Sequence, residues 1–250
     1  MKWSNIKNIM VGFLIFMNIF MLAIIVTTTL KKTNIPQSVV DSSLSVIRKS
    51  GFEISEDIFP KKYYTRPTYN AQFYSASDLS ELFFGKQIPF RTVGDNLVGT
   101  NDDAVLTVND NYFSYDTLEE ADESISAKEL KKALEKIGFD MTGAVYDEKT
   151  KVFYKMYDDA NLFNMYLEAE FDKDGKVCFV KAQWPKELTE RERVTISFTE
   201  NCAKLREFFP DGGTVKDIEL GYSLRSLGRD NYLFSPAWRV NVNGEPKIVE

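Results

Sequence analysis

The stretch Asp172-Lys173-Asp174-Gly175 comes nearest to a metal site in this chain. Alternating carboxylates followed by a glycine resemble the start of a calcium loop. Val177 and Phe179 then stand where further oxygen donors belong. A hairpin turn is the better reading, and no metal is expected. Asp102-Asp103 and Asp158-Asp159 are adjacent carboxylates. Paired carboxylates hydrolyse glycosides only when about 5–9.5 Å apart across a cleft, and adjacent ones read as solvated loop tips. There is no histidine, which removes Ser-His-Asp and Cys-His catalysis, His-ligated zinc and imidazole pH sensing together. Cys178 and Cys202 are the only thiols, too few for a disulfide scaffold. Both read as small buried hydrophobes, one in a strand and one on a helix, with a bridge between them the alternative. No glycine-rich phosphate loop appears and no nucleophile has an evident base. The residues point away from an enzyme, with no catalytic group and no cofactor.

One further stretch mixes rings with charge. "FPKKYYTRPTYNAQFY" interleaves Lys61, Lys62 and Arg66 with Tyr63, Tyr64, Tyr69, Phe73 and Tyr74. Exposed, these rings would form a glycan or peptide platform; buried, they are a loop and an edge strand packed on the first helix. The buried reading is preferred.

The elements that would position these residues are legible from periodicity and caps. Pro36 opens a helix in which Val40, Leu44 and Ile47 share a face, with Gly51 as its stop. Ser126 and Glu129 form a capping-box pair ahead of Leu130, Ala133, Leu134 and Ile137, and Gly138 closes that helix. Ser197 and Glu200 repeat the box before Phe198, Cys202, Leu205 and Phe209, which predicts a third helix. Gly51-Phe52-Glu53-Ile54-Ser55 and Gly138-Phe139-Asp140-Met141-Thr142 match closely and suggest a weak internal repeat of a helix followed by antiparallel strands. "KVFYKMYDD", "NMYLEAEFD" and "KVCFVKAQW" read as strands, the last two joined by a turn at "DKDG". Asn243-Gly244 marks another hairpin. The acidic run 117–126 reads as a junction between two units.

The N-terminus follows different rules. Ile9 to Val26 is apolar except for Gly12 and Asn18, and Ile6 and 27–30 extend it. No acidic residue precedes Asp41. At about 1.5 Å per residue this run matches the ~30 Å hydrocarbon core. It is longer than the apolar region of a cleavable signal, and "VTTTLKKTNIPQ" has no small-residue cleavage site. The reading is a retained anchor, with residues 1–8 cytoplasmic, 9–30 spanning, and the bulk outside the cell membrane. Asn18 shares a helical face with Leu14, Val11, Leu22 and Ile25; it either bonds back to its own helix or meets another membrane helix. Setting aside Lys2, Lys7, Lys31 and Lys32 leaves 27 basic against 37 acidic residues, a net charge of −10. Such a domain has no electrostatic footprint for nucleic acid.

Two places carry a family resemblance. "MKWSNIKNIMVGFLIFMNIFML" resembles the start of the YycI (WalI) proteins of Gram-positive bacteria, and "GYSLRSLGRDNYLFSPAWRVNVNG" is similar to their closing segment. The resemblance implies a YycH-like regulator whose membrane helix associates with a WalK-type sensor histidine kinase and adjusts control of cell-wall metabolism. It places Trp3, Ser4 and Lys7 in a juxtamembrane motif; Leu14, Asn18 and Leu22 are added as helix contacts by their shared face. Tyr222, Pro236, Trp238 and Arg239 match the terminal motif, with structural roles. The partners implied are the kinase and a YycH-like protein, with a homodimer also open. No catalytic residue of the family exists to carry over, and the cysteine pair departs from its pattern.

The fold expected is therefore α+β: one N-terminal transmembrane helix, then two small helix-plus-antiparallel-sheet units at 31–120 and 121–250. The function expected is a bitopic accessory regulator of a two-component kinase. The rival is an extracytoplasmic binding module for peptidoglycan or a secreted protein, without a kinase. A hydrolase would require a convergent carboxylate pair.

Overall fold

The computed structural model describes residues 13–22, 34–117, 119–121, 125–228 and 231–249. Residues 13–22 form helix α1, whose Phe13, Leu14, Phe16, Ile19, Phe20 and Leu22 are all more than half exposed. Asn18 Nδ2 donates to the Leu14 carbonyl at 2.9 Å, which satisfies the amide within its own helix. The rest of the expected span, 9–12 and 23–30, lies outside the described residues, as do Trp3, Ser4, Lys7 and the whole of 1–8. Among the described residues no helix is long and apolar enough to cross a membrane. Ten residues reach only about 15 Å, half of a bilayer core.

The expected pair of small helix-plus-sheet units is overturned by a 14-stranded sheet. After helix α2 (Gln37–Lys49) come β1 (Phe52–Glu53), β2 (Tyr64–Phe73) and helix α3 (Ala76–Phe84). A meander follows: β3 (Phe90–Val93), β4 (Asn96–Asn101), β5 (Ala104–Asn109) and β6 (Tyr112–Thr117). Helix α4 (Ala127–Ile137) leads to β7 (Ala144–Asp147), β8 (Val152–Tyr157), β9 (Ala160–Phe171), β10 (Val177–Gln183) and β11 (Pro185–Ile196). A short helix α5 (Leu205–Phe208) precedes β12 (Gly213–Gly228), β13 (Asn231–Val242) and β14 (Glu245–Val249). The main path runs β11-β2-β13-β12-β9-β10-β6-β5-β4-β3, with β1 on β12, β14 on β13, and β7 on β8, which pairs with β9. Strands distant in sequence pair because their apolar faces need more partners than a local hairpin supplies. β2 consequently lies between β11 and β13 and is no edge strand.

By contacts the chain divides into two compact units that interleave in sequence, where the expected ranges were sequential. Among the described residues, the first takes in those up to 66, 195–218 and 240–249; the second takes in those from 67 to 194 and from 219 to 239. In the first, α2 buries Val40, Leu44 and Ile47, and Gly51 takes φ +92° just past its end, as its periodicity predicts. β1 pairs in parallel with β12, Phe52 opposite Gly213. Phe52 meets Phe209 edge-on with centroids 6.5 Å apart, and Phe59 meets Phe198 at 5.6 Å. The helix predicted after Ser197 does not form as such. Two 3₁₀ turns, Phe198–Glu200 and Cys202–Lys204, lead into α5. The Ser197 hydroxyl is not a cap; it shares a hydrogen bond with Thr199 Oγ1 at 2.8 Å. Phe, Thr, Asn and Cys are weak helix formers, and the tighter turn still buries Phe198, Cys202, Leu205 and Phe209.

In the second unit, α3 and α4 cover one face of the antiparallel strands β8, β9, β10, β6 and β5. The core between them includes Leu79, Leu106, Leu134, Phe139, Leu167, Val180 and Trp184. The capping box of Ser126 and Glu129 is present on α4, and Gly138 stops it at φ +119°. α3, unforeseen from the sequence, has the same device in Ser75 and Asp78, with Gly85 in the left-handed region behind it. Phe139 and Met141 are buried as Phe52 and Ile54 are in the matching phrase.

Candidate functional site

Strand alternation sorts the second unit's side chains into a helix-covered face and an open one. Along β8, Phe153 and Lys155 are buried, while Val152, Tyr154 and Met156 point the other way. Along β10, Cys178, Val180 and Ala182 are buried and Val177, Phe179, Lys181 and Gln183 are half-exposed. Cross-strand register lines up Val145, Tyr154, Tyr166 and Gln183 as one row across β7 to β10. Lys181 stands opposite Glu168 in the next row.

At one end of these rows the alternation breaks. Tyr154 pairs with Tyr166 and Met156 with Asn161, so a single residue on β8 faces the four residues 162–165 on β9. Leu162 and Phe163 are consecutive and both buried, and Asn164, exposed, holds φ +65°. Here β9 also pairs with β12, Leu162 opposite Tyr222. Gly221 allows the approach, since a Cβ there would sit 2.6 Å from the Asn161 carbonyl oxygen and inside the Phe163 ring. Bulges and left-handed non-glycine residues cluster at binding sites. A groove of about 660 Å³ opens at this bulge, walled by Tyr154, Phe163, Tyr166, Lys181 and Arg239. The Glu219 carboxylate is clamped there between the Asn161 amide and the Arg239 guanidinium. The guanidinium also lies 5.0 Å from the Phe163 ring centroid. Burial raises the Tyr166 phenol, against a partial counter-pull from Lys181. The groove offers ring faces and side-chain donors and acceptors, with no base placed against a nucleophile.

On the covered face sits a buried cation. Lys155, 2% exposed, donates to the Asp140 carbonyl at 2.9 Å and to Asp140 Oδ2 at 2.8 Å. Its ammonium stands 5.0 Å from the Trp184 ring, and Trp184 Nε1 donates to the same carbonyl at 3.0 Å. Burial pushes the Lys155 ammonium below its ordinary value despite the carboxylate. Burial also works to raise Asp140, but the hydrogen bonds from Lys155 and Thr142 outweigh it and hold the carboxyl low. The amine is pinned and charged, which suits a structural tie better than Schiff-base chemistry. The pattern of β8 signals it: Lys155 falls on the inward beat with Phe153.

The sequence candidates are scattered. Asp172 is a turn residue, its Oδ1 accepting from the amides of Asp174 and Lys176 at 2.8 Å each, with Gly175 at φ +77°. Asp158 and Asp159 are the two turn residues between paired Tyr157 and Ala160, both left-handed. Asp102 and Asp103 sit likewise between Asn101 and Ala104. Asn243 and Gly244 are left-handed between β13 and β14. Cys178 and Cys202 are free and buried; burial pushes the Cys202 thiol up to about 11. Tyr69 and Tyr74 of the ring-rich stretch are buried, and burial is also the main force raising the Tyr74 phenol, to about 12. Leu14, Asn18 and Leu22 lie on α1. Of the terminal motif, Tyr222, Pro236 and Trp238 are buried, whereas Arg239, 43% exposed, reaches the groove. The groove was not foreseen, although the Gly221-Tyr222 and Trp238-Arg239 pairs flank it. Among the described residues no cluster of three or more His, Cys, Asp or Glu side chains could hold a metal ion.

No protein-family model matches the chain, and no curated protein matches it. A solved structure of an uncharacterized protein from Eubacterium rectale ATCC 33656 is similar over 79% of this chain and 85% of its own, at 13% identity and a TM-score of 0.43.

Proposed function

We propose that the protein is a membrane-anchored accessory regulator of a sensor histidine kinase, with the bulk of the chain outside the cell and no catalytic activity of its own. The observation that carries this reading is α1. A helix apolar on every side has no stable place in water and must be covered by lipid or by other helices. Eight of its ten residues are large hydrophobics more than half exposed, and its one amide is satisfied by the Leu14 carbonyl. The apolar run 9–30 around it is long enough in sequence for a bilayer. The resemblance to YycI supplies the partner's class, a WalK-type kinase together with a YycH-like protein, and Trp3, Ser4, Lys7, Leu14 and Leu22 are the proposed contact residues, the Asn18 amide being held by its own helix. In this reading α1 biases the helix packing of the kinase, and what the outer chain binds shifts that bias.

A second reading, an extracytoplasmic binding module without a kinase, draws on the groove. Co-purification from membranes separates the two. Tagged full-length protein is compared with a version whose 9–30 is an unrelated spanning segment. A sensor kinase recovered with the native segment and lost with the substitute is the expected result. The same partners with both, or no kinase with either, would leave the binding module.

A further inference from the structure

We propose that the groove at the β9 bulge is a binding site for a neutral, hydroxyl-rich oligosaccharide. This deepens the view of the protein as a binder and rests on that part of it, not on the kinase. Three features of the groove select the ligand. First, it lies on a sheet face where β8, β9 and β10 are already paired on both sides, so their ladders leave no strand-addition site. A ligand over these three strands must be held by side chains, which suits a sugar better than a peptide, whose own amides could be met only at the β7 edge. Second, ring faces and planar polar groups share the wall. Tyr154 and Tyr166 stand side by side by register, with Tyr154 40% exposed. Asn161, Glu168 and Arg239 line the same space. Rings meet the C–H faces of a pyranose while amide, carboxylate and guanidinium meet its hydroxyls.

Third, the groove has no surplus of positive charge to hold a polyanion. Asp147 and Glu168 line it together with Lys181 and Arg239, and Arg239 is already paired with Glu219. A polyanion would also meet the exposed chain's net charge of −10. The volume, about 660 Å³, falls within the ~300–1,000 Å³ of small-ligand sites.

The test uses full-length protein in a detergent without a sugar head group, titrated calorimetrically with a β-1,4-linked N-acetylglucosamine tetramer. Saturable binding is expected, unchanged between 50 and 500 mM salt because the ligand is uncharged (roughly a threefold change in screening length). Tyr154→Ala and Tyr166→Ala should each weaken it by about tenfold or more, with circular dichroism unchanged. Phe179→Ala, on the same open side of β10 but outside the groove, should bind as the parent does. No heat at millimolar tetramer, or equal binding by Tyr154→Ala, would overturn the proposal. So would displacement of the sugar by a Val-Thr-Val-Thr-Val-Thr peptide, which would add to β7, paired only with β8 among the described strands. Sugar binding that persists when no kinase co-purifies would remove the kinase and keep the site.

Discussion

Lys155 shows how one position carries two demands. It must follow Phe153 inward to keep the alternation of β8, and its ammonium must then find charge inside. Asp140 provides it from the loop after α4, and the Trp184 ring lies against it. The two partners are not equivalent. Lys155 is 2% exposed and Asp140 51%, so losing the carboxylate strands a buried cation, while losing the lysine leaves a carboxylate half in water. Asp140→Ala should therefore destabilise by about 2 kcal/mol, the cost of leaving a buried charged group short of one partner while the Asp140 carbonyl still accepts from it. Lys155→Met should cost about 1 kcal/mol or less, because a methionine fills the same space. Urea midpoints of the two variants check this, and the reverse order would refute the account. The inward lysine was readable from the period of β8, but its acidic partner was not. Asp140 sits in the phrase repeated after both helices, where Glu53 holds the equivalent place; nothing in that phrase marks one carboxylate for a buried lysine.

At the scale of elements, caps and turns are local and were legible. The Ser126 hydroxyl accepts from the Glu129 amide and the Glu129 carboxylate accepts from the Ser126 amide; Ser126→Ala should cost about 1 kcal/mol. Glycine turns separate into two kinds. Gly175, at φ +77°, has nothing within 4 Å of where a Cβ would be, so Gly175→Ala should cost only backbone strain, about 1 kcal/mol. A Cβ at Gly143, at φ +70°, would lie well inside contact distance of the Met156 carbonyl oxygen. The Gly143 carbonyl also accepts the Met156 amide at 2.8 Å. Gly143→Ala should cost clearly more than Gly175→Ala in thermal melts, and equal losses would refute the steric argument. The segment 197–209 went the other way. Its capping pattern and apolar spacing describe an amphipathic helix, yet burying Phe198 against Phe59 favours 3₁₀ turns. Local signals ranked below packing there because the local helix propensity is weak.

For the molecule as a whole, pairing between distant strands decides the architecture. β6 pairs with β10, and β2 pairs with β13, so the first half of the chain lacks partners for two of its strands. A fragment of residues 31–120 should accordingly fail to fold, showing no cooperative transition by circular dichroism and no dispersed amide spectrum. A cooperatively folded fragment would restore the sequential two-unit arrangement. The sequence alone determined the local order: α2 and α4 with their stops, the hairpins at Asp172 and Asn243, the loop tip at Asp158, the buried cysteines with Tyr69 and Tyr74, the acidic balance and the apolar N-terminal run. Each depends on residues within a few positions of one another, where φ preference, capping and periodicity act directly. The tertiary structure alone decided the 14-stranded order, the interleaved units, the interior position of β2 and the groove at the β9 bulge. Those depend on which apolar faces meet. β5, β6, β8 and β10 present much the same alternating pattern, so the pattern tells a strand which face to bury but not which neighbour will bury it.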